Sequence, residues 1–188
     1  MFLCAGNTEQ FDFARSIGIG LVESAICLTQ ICKEEDVDFL VFVGSAGSYS
    51  REVGVFELFC ASCATQIEAS HLHGQSYTPL KNKIQSPPIV SHETLKHIDA
   101  LPSAVVNCSN YIHTHEETAK KMLQQGILLE NMEFFSVLSV AVKFRIPARG
   151  IFCVSNHCSN NAHQEFLKNH PLVMQKLEEF VKNIKKSC

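Results

Sequence analysis

Short apolar runs bounded by polar or glycine residues recur at residues 2–5, 39–43, 55–62, 104–108, 127–129 and 151–154, and each reads as a strand buried on both faces. Between them the period changes. Residues 21–32, 116–125 and 133–144 carry apolar side chains at helical spacing, seen plainly in Phe134, Val137, Leu138, Ala141 and Phe144. A last helix is expected with Pro171 in its first turn, Val173, Leu177, Phe180 and Ile184 as one stripe, and Lys182, Lys185 and Lys186 toward its carboxyl end. Strands alternating with helices predict an α/β fold in three layers, a mixed and largely parallel central sheet flanked by helices. The stretch 71–88 holds Gly74, Ser76, Pro79, Pro87 and Pro88 without periodicity and is expected to be a long loop.

Composition narrows the class. At 188 residues, 46% hydrophobic and 19% charged, the chain suits one domain over residues 1–188 with a substantial core. A formal net charge of -3 argues against nucleic acid as a partner. No basic segment precedes an apolar run at the amino terminus, and nowhere do about eighteen apolar residues run together, so neither a secretory leader nor a membrane span is expected. The nine cysteines, an odd number with Cys4, Cys27, Cys32 and Cys153 inside apolar patterns, read as free thiols and predict a cytoplasmic location.

Three segments carry candidate chemistry. The strand at 39–43 leads into Gly44-Ser45-Ala46-Gly47-Ser48, expected as a small-residue loop at a strand's carboxyl end, where open α/β sheets bind ligands. Glycines there could turn backbone N–H groups toward an anion or a sugar oxygen, with the Ser45 hydroxyl as a further donor; the bland alternative is an ordinary turn. Asn131-Met132-Glu133 opens a helix and offers a thioether for the apolar face of a sugar and a carboxylate for its hydroxyls. Read blandly, Met132 fills core and Glu133 complements the helix dipole. Ser155-Asn156 leaves the strand at 151–154 and presents a carboxamide, donor and acceptor side by side, to a heterocyclic base; such an asparagine is otherwise a cap or turn residue. Together the three describe a nucleoside pocket.

Other groupings are weaker. Cys60 and Cys63 followed by His71 and His73 have zinc-site residue types, but both cysteines fall in an apolar strand and no second close pair follows, so no metal is expected. His157-Cys158 with His163 lacks an orienting acid for a Cys/His nucleophile. His113 and His115 read as surface histidines, one of which could reach a substrate.

In order, Gly44-Ser45-Ala46-Gly47, Tyr111-Ile112, Met132-Glu133 and Val154-Ser155-Asn156 resemble the successive motifs of the nucleoside phosphorylase and nucleosidase superfamily, and Ser16-Ile17-Gly18-Ile19-Gly20 resembles its strand-to-helix junction. The resemblance covers almost the whole chain. It implies that Ser45, Ala46 and Gly47 lie against the ribosyl group and the nucleophile, and that Tyr111 stacks on the base with Ile112 beside it. It also implies that Met132 lies under the ribose and that Glu133 holds the ribose hydroxyls while favouring the oxocarbenium charge. Asn156 matches the residue facing the purine leaving group, with Ser155 next to it. Several branches have aspartate there, and an amide cannot act as the acid, so asparagine points to 6-oxopurine nucleosides.

Departures from the pattern bear on the nucleophile. Phe42 stands where the hexameric phosphorylases have an arginine, Gln10 where a second one is found, and Glu9 falls near the water-activating glutamate of the nucleosidases. The segment between Gln10 and Ser16 is shorter than the family's usual hairpin toward a neighbouring subunit. Arg15, Arg51, Arg145 and Arg149 are left as candidate anion partners, each with an ordinary solvated arginine as the favoured alternative. The resulting expectation is a purine nucleoside phosphorylase-like homo-oligomer with phosphate as co-substrate and no cofactor. Hydrolysis through Glu9, or nucleoside binding without turnover, stand as alternatives.

Overall fold

The computed structural model describes residues 1–88 and 92–187, so Cys188 lies outside the described residues. Among these, the strands are β1 Phe2–Cys4, β2 Arg15–Ser16, β3 Leu40–Ser48, β4 Leu58–Thr65, β5 Lys83–Gln85, β6 Ser103–Cys108, β7 Leu129–Asn131 and β8 Ala148–His157. The helices are α1 Gly20–Glu34, α2 Ala69–Leu72, α3 Glu93–Asp99, α4 Glu116–Gln124, α5 Phe134–Phe144 and α6 Ala162–Ser187. No helix among the described residues is long and apolar enough to cross a membrane.

All strands join one mixed sheet, mostly parallel, as the alternation of strands and helices predicts. Its pairings close on themselves. β3 pairs with β8 in parallel, β8 with β4 in antiparallel, and β4 with β6, β6 with β7 and β7 back to β3 complete a ring. β1 and β2 extend it beyond β3, and β5 beyond β4. Side chains alternate along β3 and β8 as a strand's period of two requires. Leu40, Phe42, Phe152 and Val154 join α1 and α5 in one core, while Val41, Val43, Ile151 and Cys153 join α3 and α6 in another. A third cluster puts Met122 of α4 against Ile127, Tyr49 and Cys158.

Four expectations change. Gly44 to Ser48 is strand rather than loop: partners in β8 and β7 hold it extended, with one irregularity between Ala46 and Gly47. Likewise Ser155 and Asn156 still belong to β8. The 71–88 segment is not wholly loop, because its β5 adds an antiparallel strand to the β4 edge. Finally, Pro171 sits inside α6, which begins at Ala162. Proline removes one hydrogen bond, to the carbonyl four residues back, but Val173, Leu177, Val181 and Ile184 bury the helix deeply enough to hold it through that loss.

Candidate active site

A cavity of about 170 Å³ opens where the carboxyl ends of β1, β3, β7 and β8 converge. Its wall includes Glu9, Ser45, Ala46, Gly47, Tyr111, Ile112, Met132, Glu133, Ser155 and Asn156, so every site residue expected from the sequence meets in one place. No lysine or arginine is among its lining residues.

Glu9 reaches the cavity through a tight turn. Gly6 and Glu9 exchange backbone hydrogen bonds of 3.1 and 3.0 Å, and Gly6 (φ 96°) and Asn7 (φ 56°) take the left-handed conformations the reversal needs. The carboxylate, 9% exposed, then receives the Ser45 hydroxyl on Oε1 and the Ser45 N–H on Oε2 at 3.2 Å. Gly44 permits this approach, since a Cβ there would lie 2.9 Å from Glu9 Oε2. Gly47 is similar, with Asn156 Nδ2 and Cys158 Sγ each 3.2 Å from where its Cβ would be. These glycines thus provide room rather than a turn.

Glu133 stands at the start of α5, 3% exposed. Asn131 caps that helix: its Oδ1 accepts from Glu133 N at 2.8 Å and Phe134 N at 2.9 Å. From α1, Gly20 N donates to Glu133 Oε1 at 3.0 Å, joining residues 113 apart in sequence. Burial raises the Glu133 carboxyl from 4.5 to about 7, and the nearby Glu9 charge adds to the rise while the Gly20 N–H opposes it.

At the opposite end, Ser155 Oγ donates to Asn156 Oδ1 at 2.7 Å and Asn156 Nδ2 donates to the His157 carbonyl at 3.3 Å. One N–H and one lone pair of the amide stay available to a ligand. Behind it lies a polar cluster absent from the sequence reading. Glu130, 6% exposed and also lining the cavity, accepts from Tyr49 Oη at 2.9 Å, Cys158 Sγ at 3.1 Å, His113 N at 3.2 Å and His113 Nδ1 at 2.6 Å. Burial, reinforced by the Glu130 charge, pushes the Tyr49 phenol and the Cys158 thiol well above their usual ranges, so both stay protonated as donors. His113 is therefore not a surface histidine: it is 9% exposed and paired. Tyr111 and Ile112, by contrast, stand at the mouth, 80% and 56% exposed.

The arginines kept as anion partners are elsewhere. Arg15 pairs with Glu35, Arg51 with Glu116 and Arg149 with Asp99, while Arg145 caps the carboxyl end of α5 at φ 59°. Phe42 faces the core, fully buried with ring centroids 6.3 Å from Phe134 and 5.9 Å from Phe152. Gln10 is exposed and does not line the cavity.

The sequence profile described as the Phosphorylase superfamily matches residues 13–186. The chain belongs to this superfamily. Similar sequences include the DeoD-type purine nucleoside phosphorylases of Clostridium beijerinckii, 24% identical over 143 residues, and Myxococcus xanthus, 22% identical over 143 residues. Each match covers 74% of this chain, which spans about 60% of the length of those relatives. Among solved structures, a Helicobacter pylori 5'-methylthioadenosine/S-adenosyl homocysteine nucleosidase superposes with TM-score 0.81 at 17% identity, covering 100% of this chain and 97% of that one. A futalosine hydrolase mutant of the same organism gives TM-score 0.82 at 16% identity, covering 100% and 98%. These likenesses establish a shared fold.

Within this superfamily fold, Phe166 also lines the cavity and His170 stands one turn further along α6, yet neither emerges from the sequence reading. A signal existed. Phe166 and His170 extend the stripe of Val173 and Leu177 upstream of Pro171 at helical spacing.

Proposed function

We propose that this protein cleaves the N-ribosidic bond of purine nucleosides with water as the nucleophile. The observation that carries this is the Glu9 carboxylate, held by Ser45 in a cavity lined by no lysine or arginine. An anion such as phosphate would meet the Glu9 and Glu133 carboxylates and no lining lysine or arginine, whereas water beside a carboxylate finds a base. In this reading Met132 lies under the ribose, Tyr111 and Ile112 cover the base, and Ser45, Ala46 and Gly47 flank the attacked carbon. Glu133 accepts hydrogen bonds from the ribose hydroxyls. As the C1′–N9 bond breaks its electron pair stays on the purine, and Glu133 faces the positive charge growing on the sugar. Water then adds to C1′ and yields its proton to Glu9. The remaining N–H and lone pair of Asn156 suit the 6-oxo group and adjacent ring N–H of an oxopurine, with Ser155 holding the amide in that pose.

The two fold neighbours named as a nucleosidase and a hydrolase support attack by water. A second reading, phosphorolysis to ribose 1-phosphate, is favoured by the DeoD-type relatives, and its phosphate would need a cation from beyond this cavity. A homo-oligomer fits either, since Ile19, Tyr111 and Ile112 at the mouth and Val22 and Ile26 on α1 are all exposed. The test is to incubate the pure protein with inosine, guanosine and adenosine, with and without phosphate, and to identify the sugar. Free ribose without phosphate is expected; ribose 1-phosphate formed only with phosphate would replace this reading by the second.

A further inference from the structure

One buried polar atom near the cavity is left over by the mechanism above. His170 Nε2 on α6 is enclosed and has no hydrogen-bond partner, and its neighbour of opposite charge type is Glu9 Oε1 at 3.9 Å. An unpaired buried nitrogen is destabilising, which marks His170 as a side chain to account for. The ring is not loose. Phe166, one turn earlier and itself part of the cavity wall, packs on it with centroids 4.9 Å apart, and the His170 side chain is only 15% exposed.

The spacing itself is informative. At 3.9 Å, His170 Nε2 and Glu9 Oε1 lie beyond hydrogen-bond range and share no proton. A proton placed between them would draw them together by roughly 1 Å to an ordinary hydrogen bond. The Glu9 carboxylate is arranged for such a transfer: Oε1 receives Ser45 Oγ and faces His170, while Oε2 receives Ser45 N, and the residue lines the cavity.

We propose that His170 is a positioning residue for Glu9, a relay that takes on the proton Glu9 draws from the attacking water. This rests on the hydrolytic reading. In the step, an O–H bond of water breaks as its oxygen pair forms the bond to C1′, and the C1′–N9 pair leaves with the purine. The proton goes to Glu9 and then from Oε1 to His170 Nε2, which restores the carboxylate. The imidazolium finally releases it to solvent, from which the departed base is protonated, so nucleoside and water balance ribose and free base. With the proton removed from Glu9, the cavity keeps a negative charge opposite the forming sugar cation at the moment of attack.

The test combines a kinetic and a non-kinetic readout on full-length protein. Without phosphate, His170→Gln is expected to lower kcat on inosine by about 10²-fold while KM stays within about twofold. The double variant Glu9→Gln/His170→Gln should be no slower than Glu9→Gln alone, because a relay has nothing to carry once the base is gone. Added imidazole should restore part of the rate to His170→Ala. Independently of turnover, Tm values of the two single variants and the double should be non-additive. Unchanged kcat in His170→Gln, or losses in kcat and Tm that simply add to those of Glu9→Gln, would overturn the relay. If wild-type protein releases free ribose and His170→Gln matches it, hydrolysis stands and the relay falls. If wild type releases no free ribose from any nucleoside, the hydrolytic reading falls and takes the relay with it.

Discussion

The two ends of the cavity are built on opposite electrostatic plans. At the Glu9 end, no lysine or arginine lines the space around Glu9 and Glu133, and the groups hydrogen-bonded to them are neutral: the Ser45 hydroxyl and the N–H groups of Ser45 and Gly20. At the Asn156 end, Glu130 has its oxygens met by a phenol, a thiol and a histidine, and Asn156 is held by Ser155. One end keeps carboxylates unneutralised and the other is satisfied. The contrast teaches where a carboxyl is perturbed: burial, with the Glu9 charge adding to it, raises Glu133 to about 7, whereas the donors around Glu130 are held protonated against it.

Breaking the Glu9 end should have the largest effect. Glu133→Gln keeps an oxygen for the Gly20 N–H but loses the charge, so kcat/KM should fall by about 10³-fold, read by base release from inosine. The same variant should be more stable at pH 8. Folded Glu133 holds its proton to about 7 against 4.5 unfolded, so its contribution is complete below pH 4.5 and lost as pH rises through 7. That gap corresponds to roughly 3 kcal/mol, visible as a Tm gain of Glu133→Gln over wild type at pH 8 that vanishes at pH 4. An equal Tm difference at both pH values would show that Glu133 is not so perturbed.

Next, Glu9→Gln should lower hydrolysis by about 10²-fold while relieving the repulsion on Glu133. The acid limb of the wild-type rate profile, set by ionisation of Glu133 near 7, should then move to lower pH. A limb that stays in place would mean the two carboxylates do not interact. At the base end, Asn156→Asp should shift preference from inosine toward adenosine by about tenfold in relative kcat/KM, since a carboxylate cannot donate to a 6-oxo group unless protonated. The smallest effect belongs to the open wall. Tyr111→Ala should raise KM by about tenfold at most, the worth of one aromatic stack, and leave Tm unchanged because that side chain is 80% exposed.

Much of this was legible in the chain itself. The apolar runs marked most strands, the helical stripes marked α1, α4 and α5, and the candidate site residues all line one cavity. The errors have physical sources. Gly44 to Ser48 looks like a turn because small residues permit one, but pairing with β8 and β7 overrode local preference. Pro171 looks like a helix start because that is where proline costs least, yet core burial carried α6 through it.

By itself the sequence determined the alternation of elements, the two-faced core and the identities of the groups at the site, because those follow from local periodicity and side-chain chemistry. Only the tertiary structure decided what those groups face. Glu9 meets Ser45 across 36 residues, His113 meets Glu130 across 17 and Gly20 meets Glu133 across 113. His170 comes to Glu9 only because a helix continues past a proline. Hydrogen bonding, burial and charge repulsion act through space, and they separate a carboxylate that accepts the first N–H of a helix from one that is held by a serine and faces a buried imidazole.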